Sequence, residues 1–296
     1  MISKPLMKQS VKANWVLWLA ATIIVCLIIA ILKIIMKTSN AATFNINMDA
    51  LAPYVVALLK QGLTIENLLV EMGLNANLLQ NMSGIDMNLI MNNMFYNLAG
   101  VLVPMIYCVI VANNLVAAQV DRGSMAFVLS TPTKRSSVVA TQSAYLIISL
   151  AGMFIMTFLT DIIASVSIGL EVNYLQIFEL NFGLFLLMFA LSGICFFFAS
   201  YFNLTKFSYA ASGGLLVVFY INKMIGMFGD PSFAQAGMGI TQLKAFDYMS
   251  LITLLNTNSI FKGTTDFIWQ LAILFVIGII TYVAGSEIFK RKDLPL

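Results

Sequence analysis

The chain has 296 residues, 60% of them hydrophobic and only 10% charged. Soluble domains carry about 25% charged residues, so this chain cannot build a water-facing surface and reads as an integral membrane protein. Its formal net charge of +3 is too small to suggest nucleic acid as a partner, and the lack of any His removes the commonest general base and transition-metal ligand.

A helix needs about 20 mostly apolar residues to cross the bilayer core. Six stretches qualify: residues 15–35, 94–117, 139–162, 178–201, 209–228 and 267–289. The expected fold class is an all-α polytopic membrane protein, a single transmembrane domain over residues 1–296. Residues 1–14 place Lys4, Lys8 and Lys12 one helical turn apart, beside a stripe of Met7, Val11 and Trp15. That pattern suits an amphipathic helix in the interface whose lysines reach headgroups; the alternative is a disordered basic leader. The first span is longer than the 7–15 apolar residues of a signal peptide, so it reads as a retained anchor rather than a leader cleaved at "SNA", residues 39–41. Residues 36–93 carry helix signals: Thr64 as N-cap before "IENLLVEM", Gly73 as a stop, and Ser83 as N-cap of a helix entering the second span. Short amphipathic helices on the outer surface are expected there, and a second outer segment covers residues 229–266. Pro104 should kink the second span. "SGG" and Lys223 weaken the fifth. Cys26, Cys108 and Cys195 each sit in an apolar run and read as small buried hydrophobes with no disulfide or metal role.

Orientation follows from Lys and Arg. With both termini cytoplasmic, the inner side holds Lys4, Lys8, Lys12, Arg122, Lys134, Arg135, Lys206, Lys290, Arg291 and Lys292. The outer side holds Lys33, Lys37, Lys60, Lys223, Lys244 and Lys262, spread over longer loops. Trp15 and Trp18 then mark the inner edge and Trp269 the outer edge, as aromatic belts should.

Carriers driven by ion gradients place ionisable residues inside their spans. Here the spans are nearly clean. Lys33 and Lys223 lie near outer ends, from which they can snorkel. Glu287 precedes Arg291 by four residues, a favourable helical pairing. Asp161 is the ambiguous residue: an outer-interface or packing role is expected, with a place on a substrate path as the alternative. A membrane hydrolase wants a nucleophile with a base, or clustered metal ligands, and the spans offer neither. No Gly is followed by Lys, so the chain has no phosphate-binding GxxxxGK[ST] loop of its own.

One charged break interrupts the grease: "QVDRGSMAFVLSTPTKRSSVVATQ", residues 119–142. "SMAFVLS" suits a short helix with Met125, Val128 and Leu129 on one face. Gly123 loosens the chain before it. Thr131 and Pro132 make a good N-cap and first position for a helix running into the third span. Asp121, Arg122, Lys134 and Arg135 flank this bent pair. It can dock on a cytoplasmic partner as a lever, or it is an ordinary polar loop whose charges set topology.

The segment "DRGSMAFVLSTPTKRSSVVATQ" resembles the first cytoplasmic loop of type-2 ABC exporter permeases. There an acidic residue and a Gly precede an "LLS-x-P-x-R"-like run and the third span; here the run is "VLSTPTKR", with Asp121 in the acidic position and Lys134–Arg135 as the basic pair. "YVAGSEIFKRKDLPL" resembles the family's closing span, and "FDYMSLITLLNTNSIFKG" the hairpin before it. The long segment 36–93 departs from the simplest members. The resemblance implies a multi-pass protein of a bacterial-type cell membrane, with a second permease subunit (a copy or a paralogue) beside it. It also implies two copies of a separate cytoplasmic ATPase that carry ATP and Mg, so this chain itself binds no cofactor and no metal. Residues 119–138 would be the coupling loop, with Asp121, Arg122, Gly123, Met125, Val128, Leu129, Pro132, Lys134 and Arg135 meeting the ATPase.

The expected function is the membrane-spanning subunit of an ATP-driven exporter. The 18 Met and 22 Phe suit a hydrophobic or amphipathic cargo, best a small membrane-active peptide, with a lipophilic drug or lipid as alternatives. A gradient-driven carrier or channel and a non-transport membrane protein are the competing classes.

Overall fold

The computed structural model of the chain describes residues 3–41, 95–125, 134–167, 169, 173–229, 240–261 and 263–292. Among these residues there is helix and turn and no strand, as a lipid-facing backbone requires, because only internal hydrogen bonds satisfy it there. Six helical stretches are long and apolar enough to cross a membrane. They are α1 (Lys4–Ala41), the second span Phe95–Asp121, α4 (Arg135–Ser167), α5 (Tyr174–Tyr201), α6 (Thr205–Met227) and α8 (Asp266–Arg291). The second span has three parts: a π-turn at Phe95–Ala99, α2 (Gly100–Leu115) and α3 (Ala117–Asp121). Between α6 and α8 lie 3₁₀ segments at Thr241–Met249 and Leu251–Leu254, and the short α7 (Thr257–Phe261). The described part of the segment before the last span, from residue 240, is thus largely helical. The helices anticipated at Thr64 and Ser83 lie outside the described residues.

The expected interfacial helix over residues 1–14 is not a separate element. Its described part, from Lys4, continues without a break into the span, and α1 runs for 38 residues. At about 1.5 Å per residue it is about 57 Å long, well beyond the roughly 30 Å of a hydrocarbon core. The reason is a continuous inner stripe. Leu6, Ser10, Asn14, Ala21, Val25, Ile29 and Lys33 are all buried, at spacings that hold one helix face against the bundle. Lys4, Lys8 and Lys12 are exposed on the other side.

The bundle is built around α5, which packs on α2, α4, α6 and α8. Most of α5 is buried, whereas α1, α6 and α8 turn most of their apolar surface outward, as helices bathed in lipid do. α5 and α8 pack together along an extensive close seam. A Cβ on Gly193 would collide with Thr281 Oγ1 and the Gly278 carbonyl, and one on Gly278 with the Phe189 ring. Small residues allow this, and close backbone approach is what holds helices together where no hydrophobic drive exists between them. Ser192 and Tyr282 share a hydrogen bond of 2.8 Å across the same seam. The "SGG" expected to weaken the fifth span lies inside α6. Ser208 and Ser212 are fully buried, and Asn113 Nδ2 of α2 donates to Ser212 Oγ at 3.4 Å.

Candidate functional site

The N-terminal turns of α1, the end of α3, the start of α4, the α5–α6 turn and the end of α8 meet at one end of the bundle. Ser3 N–H donates to Thr141 Oγ1 of α4 at 2.9 Å. All ten basic residues assigned to the inner side belong to elements that reach this end, so we call it the basic end.

The second span reaches the loop through a controlled break. α2 stops at Leu115, and Val116, with φ −120° and ψ −72°, turns the chain into α3. Gln142 of α4 fastens the break: its Nε2 donates to the Leu115 carbonyl and to Gln119 Oε1. α3 then ends as helices commonly do. Arg122 N–H bonds back to the Ala118 carbonyl, Gly123 N–H to the Val120 carbonyl, and Gly123 takes φ +69°. That left-handed conformation is why glycine stands here; Gly123 terminates α3 rather than merely loosening the chain.

The flanking charges divide into two kinds. Asp121 is exposed, yet its Oδ2 accepts the backbone N–H of Thr205, the first residue of α6, at 3.2 Å. Leu204 at the N-cap position of α6 supplies no side-chain cap, so a carboxylate from α3 takes that place, where the helix dipole favours negative charge. Arg135, half-buried at the start of α4, donates from Nη1 to the Lys292 carbonyl at 2.9 Å. Lys292, just past α8, donates from Nζ to the Ser200 and Tyr201 carbonyls at 3.0 and 2.7 Å. It thereby covers the C-terminal end of α5, where a cation is favoured. Half-burial pushes its ammonium down to about 8. Arg122 and Lys134, by contrast, are exposed. Lys134 caps α4 with its backbone carbonyl, which accepts from Ser137 and Val138 N–H.

Met125 is almost fully buried within the chain, so this member of the expected docking face is turned into the bundle. Val128, Leu129 and Pro132 lie outside the described residues. Near the tail, Glu287 pairs more closely with Lys290, at 2.6 Å, than with the expected Arg291, at 3.9 Å.

The other end holds what the residue pattern did not disclose. Lys33 does not snorkel: it is buried and meets Asp161 Oδ1 at 3.0 Å. Tyr96 donates its hydroxyl to Asp161 Oδ2 at 2.8 Å, and Asn181 Nδ2 donates to the Tyr96 oxygen at 2.9 Å. Ser165 adds a longer bond to Asp161 at 3.4 Å. This cluster ties α1, α4, α5 and the π-turn of the second span. Lys223 is likewise buried and faces Asp247 at 3.4 Å. Both lysines were expected to reach the surface; burial without a partner would have been too costly, and each has a carboxylate at its own depth. Asp161 is only 1% exposed, which places it in a packed clasp. Among the described residues no group of three His, Cys, Asp or Glu gathers as metal ligands.

No curated protein and no solved structure matches the chain. A family model described as ABC-2 family transporter protein matches residues 2–294, nearly the whole length; the chain belongs to that family, as the membrane permease subunit of an ABC transporter and not itself its catalytic subunit.

Proposed function

We propose that this permease subunit exports a hydrophobic or amphipathic cargo, best a small membrane-active peptide, driven by ATP hydrolysis on a separate cytoplasmic subunit. The basic end faces the cytoplasm, in keeping with the positive-inside rule, and the segment 119–138 receives the ATPase. Two such permeases, identical or paralogous, stand side by side in a bacterial-type plasma membrane, each held by one ATPase that carries ATP and Mg.

The observation that carries this reading is the bonding of the loop's two flanks. Asp121 is joined to the start of α6, and Arg135, through Lys292, to the ends of α8 and α5. A push on the segment between them therefore reaches five of the six spans at their inner ends. Arg122 and Lys134 stay exposed for the partner. For the cargo, support comes from the aromatic ladder on α5. Phe178, Phe182, Phe185 and Phe189 follow one another at centroid distances of 5.7–6.5 Å and continue to Phe275 and Tyr282 of α8. Phe178, Phe182 and Phe275 are exposed, offering an apolar rail to an amphipathic helix or a lipophilic molecule.

The Lys33–Asp161 pair favours one second reading, a carrier coupled to an ion gradient, because buried charges within spans mark ion routes in such proteins. One experiment separates the two. The chain is reconstituted in inside-out vesicles alone, or with its ATPase. ATP-dependent accumulation of a labelled amphipathic peptide only in the second case supports the exporter. Movement driven by a proton or sodium gradient through the lone chain would overturn it.

A further inference from the structure

A cavity of about 720 Å³ opens at the basic end, between the first turns of α1 and the α2–α3 junction. Its polar lining includes Gln9, Ser10, Asn14, Asn114, Gln119 and Arg122. Apolar side chains are interleaved with these, among them Leu6, Ala118 and Val138. No carboxylate is among the described residues that line it, so Arg122 sets the sign of the field inside. Ser10 is only 3% exposed, and its hydroxyl has no hydrogen-bond partner. Buried polar groups without partners are rare in folded proteins and point to something that binds there. Gln119 uses its Oε1 on Gln142, which leaves its Nε2 donors unspent. The lining thus offers donors, one cation and hydrocarbon.

Its height fixes the class of ligand. Trp15 lies one residue past Asn14 and is exposed. Such rings sit at headgroup level, so the cavity opens where phosphates of the adjoining leaflet lie. We infer that it binds the phosphate-bearing headgroup of an anionic phospholipid. The Arg122 guanidinium and Ser10 hydroxyl meet the phosphate, and the apolar side chains among the lining meet the first methylenes. This rests on the membrane placement given above but on neither the ATPase nor the cargo. Arg122 belongs to the 119–138 segment and lines the cavity, so a bound lipid would brace the element through which the ATPase acts.

The test uses the full chain, purified alone in neutral detergent, with lipid adducts counted by native mass spectrometry. The probes are phosphatidylglycerol, phosphatidylcholine and inorganic phosphate. We expect phosphatidylglycerol to bind about tenfold more tightly than phosphatidylcholine. Ser10→Ala and Arg122→Gln should each weaken it by roughly fivefold, the scale of one charge-assisted hydrogen bond, and Arg122→Gln should narrow the margin over phosphatidylcholine, which lacks the net negative charge. The conservative Ser10→Ala variant keeps the test open should Arg122→Gln disturb folding. Equal phosphatidylglycerol binding by the wild type and both variants would overturn the site. Displacement by millimolar inorganic phosphate would overturn the lipid as ligand in favour of a free anion. Displacement on adding the ATPase subunit would assign the groove to the protein partner instead. Failure here leaves the transporter reading intact, because the lone chain in detergent tests no transport.

Discussion

Asp121, at the end of α3, caps α6 by accepting the Thr205 backbone N–H at 3.2 Å. The bond joins the second and fifth spans at the basic end, beside the segment proposed to meet the ATPase. Asp121→Ala should leave the complex assembled and its ATPase active, yet lower peptide export several-fold, because α6 no longer follows the loop. Asp121→Asn keeps an acceptor without the charge, and N-caps accept Asn well, so export should largely return. The check is the ratio of export to ATP hydrolysis in reconstituted vesicles. Equal ratios for Ala and wild type would show that the bond transmits nothing.

The basic residues of the loop should separate by what they touch. Arg122 and Lys134 are exposed, so Arg122→Glu and Lys134→Glu should weaken capture of the ATPase about tenfold or more while leaving thermal stability unchanged, since rim charges act on association rather than on the fold. Arg135 is tied to the Lys292 carbonyl, so Arg135→Gln should instead lower the melting temperature of the lone chain, by a few degrees for the loss of about 1–2 kcal/mol. Pull-down affinity and melting of the same three variants give the answer. A stability loss confined to Lys134→Glu would reverse the division.

The spans and the charged loop were legible because they follow from length and composition. A run of about twenty apolar residues has few alternatives to a membrane helix. The pairing of Lys33 with Asp161 was not legible, since nothing local to either residue says which spans are neighbours. One signal was present: a lone Lys and a lone Asp near the outer ends of two spans, each too costly to bury unpaired. The length of α1 was missed because Trp15 looked like a boundary, whereas the buried stripe runs through it from Leu6 to Lys33. The bonds of Asp121 and Arg135 were also out of reach, because they join residues 84 and 157 positions apart.

Lys292 should titrate unusually early. Its ammonium is lowered to about 8, against about 10.4 in an unfolded chain. Between those values the unfolded chain holds the extra proton, so this group's contribution to stability rises as the pH climbs from about 8 to 10. Below pH 8 both states are protonated and the burial penalty is present in full. Lys292→Met should remove that slope, seen as melting temperature against pH. In parallel, acylation of Lys292 should show a midpoint near pH 8. A midpoint near the unfolded value of about 10.4 would contradict the burial.

The α5–α8 seam should tolerate little bulk. Gly278→Leu drives a side chain into the Phe189 ring and should cost about 1–3 kcal/mol, as overpacking does. Gly214, whose Cβ would meet nothing within 4 Å, serves as the control: Gly214→Leu should be nearly neutral in the lone chain. Denaturant unfolding of both variants in micelles decides it. Equal losses would mean that the seam is not the tight contact.

The Lys33–Asp161 clasp makes a prediction that also separates the two readings of function. Removing one partner leaves a buried charge unpaired, so Lys33→Met should cost about 3–5 kcal/mol. Replacing both, with Lys33→Met and Asp161→Asn, removes the stranded charge, and the new side-chain amide can still accept from the Tyr96 hydroxyl. The double variant should therefore recover most of the loss, within about 1–2 kcal/mol of wild type. If the clasp only holds α1 against α4, the double variant exports peptide with ATP at close to the wild-type rate. If Asp161 carries an ion or contacts the cargo, it folds as well but transports nothing. Unfolding and vesicle export measured on the same protein keep the two outcomes apart, and a stable, inactive double variant would move Asp161 from the scaffold to the transport path.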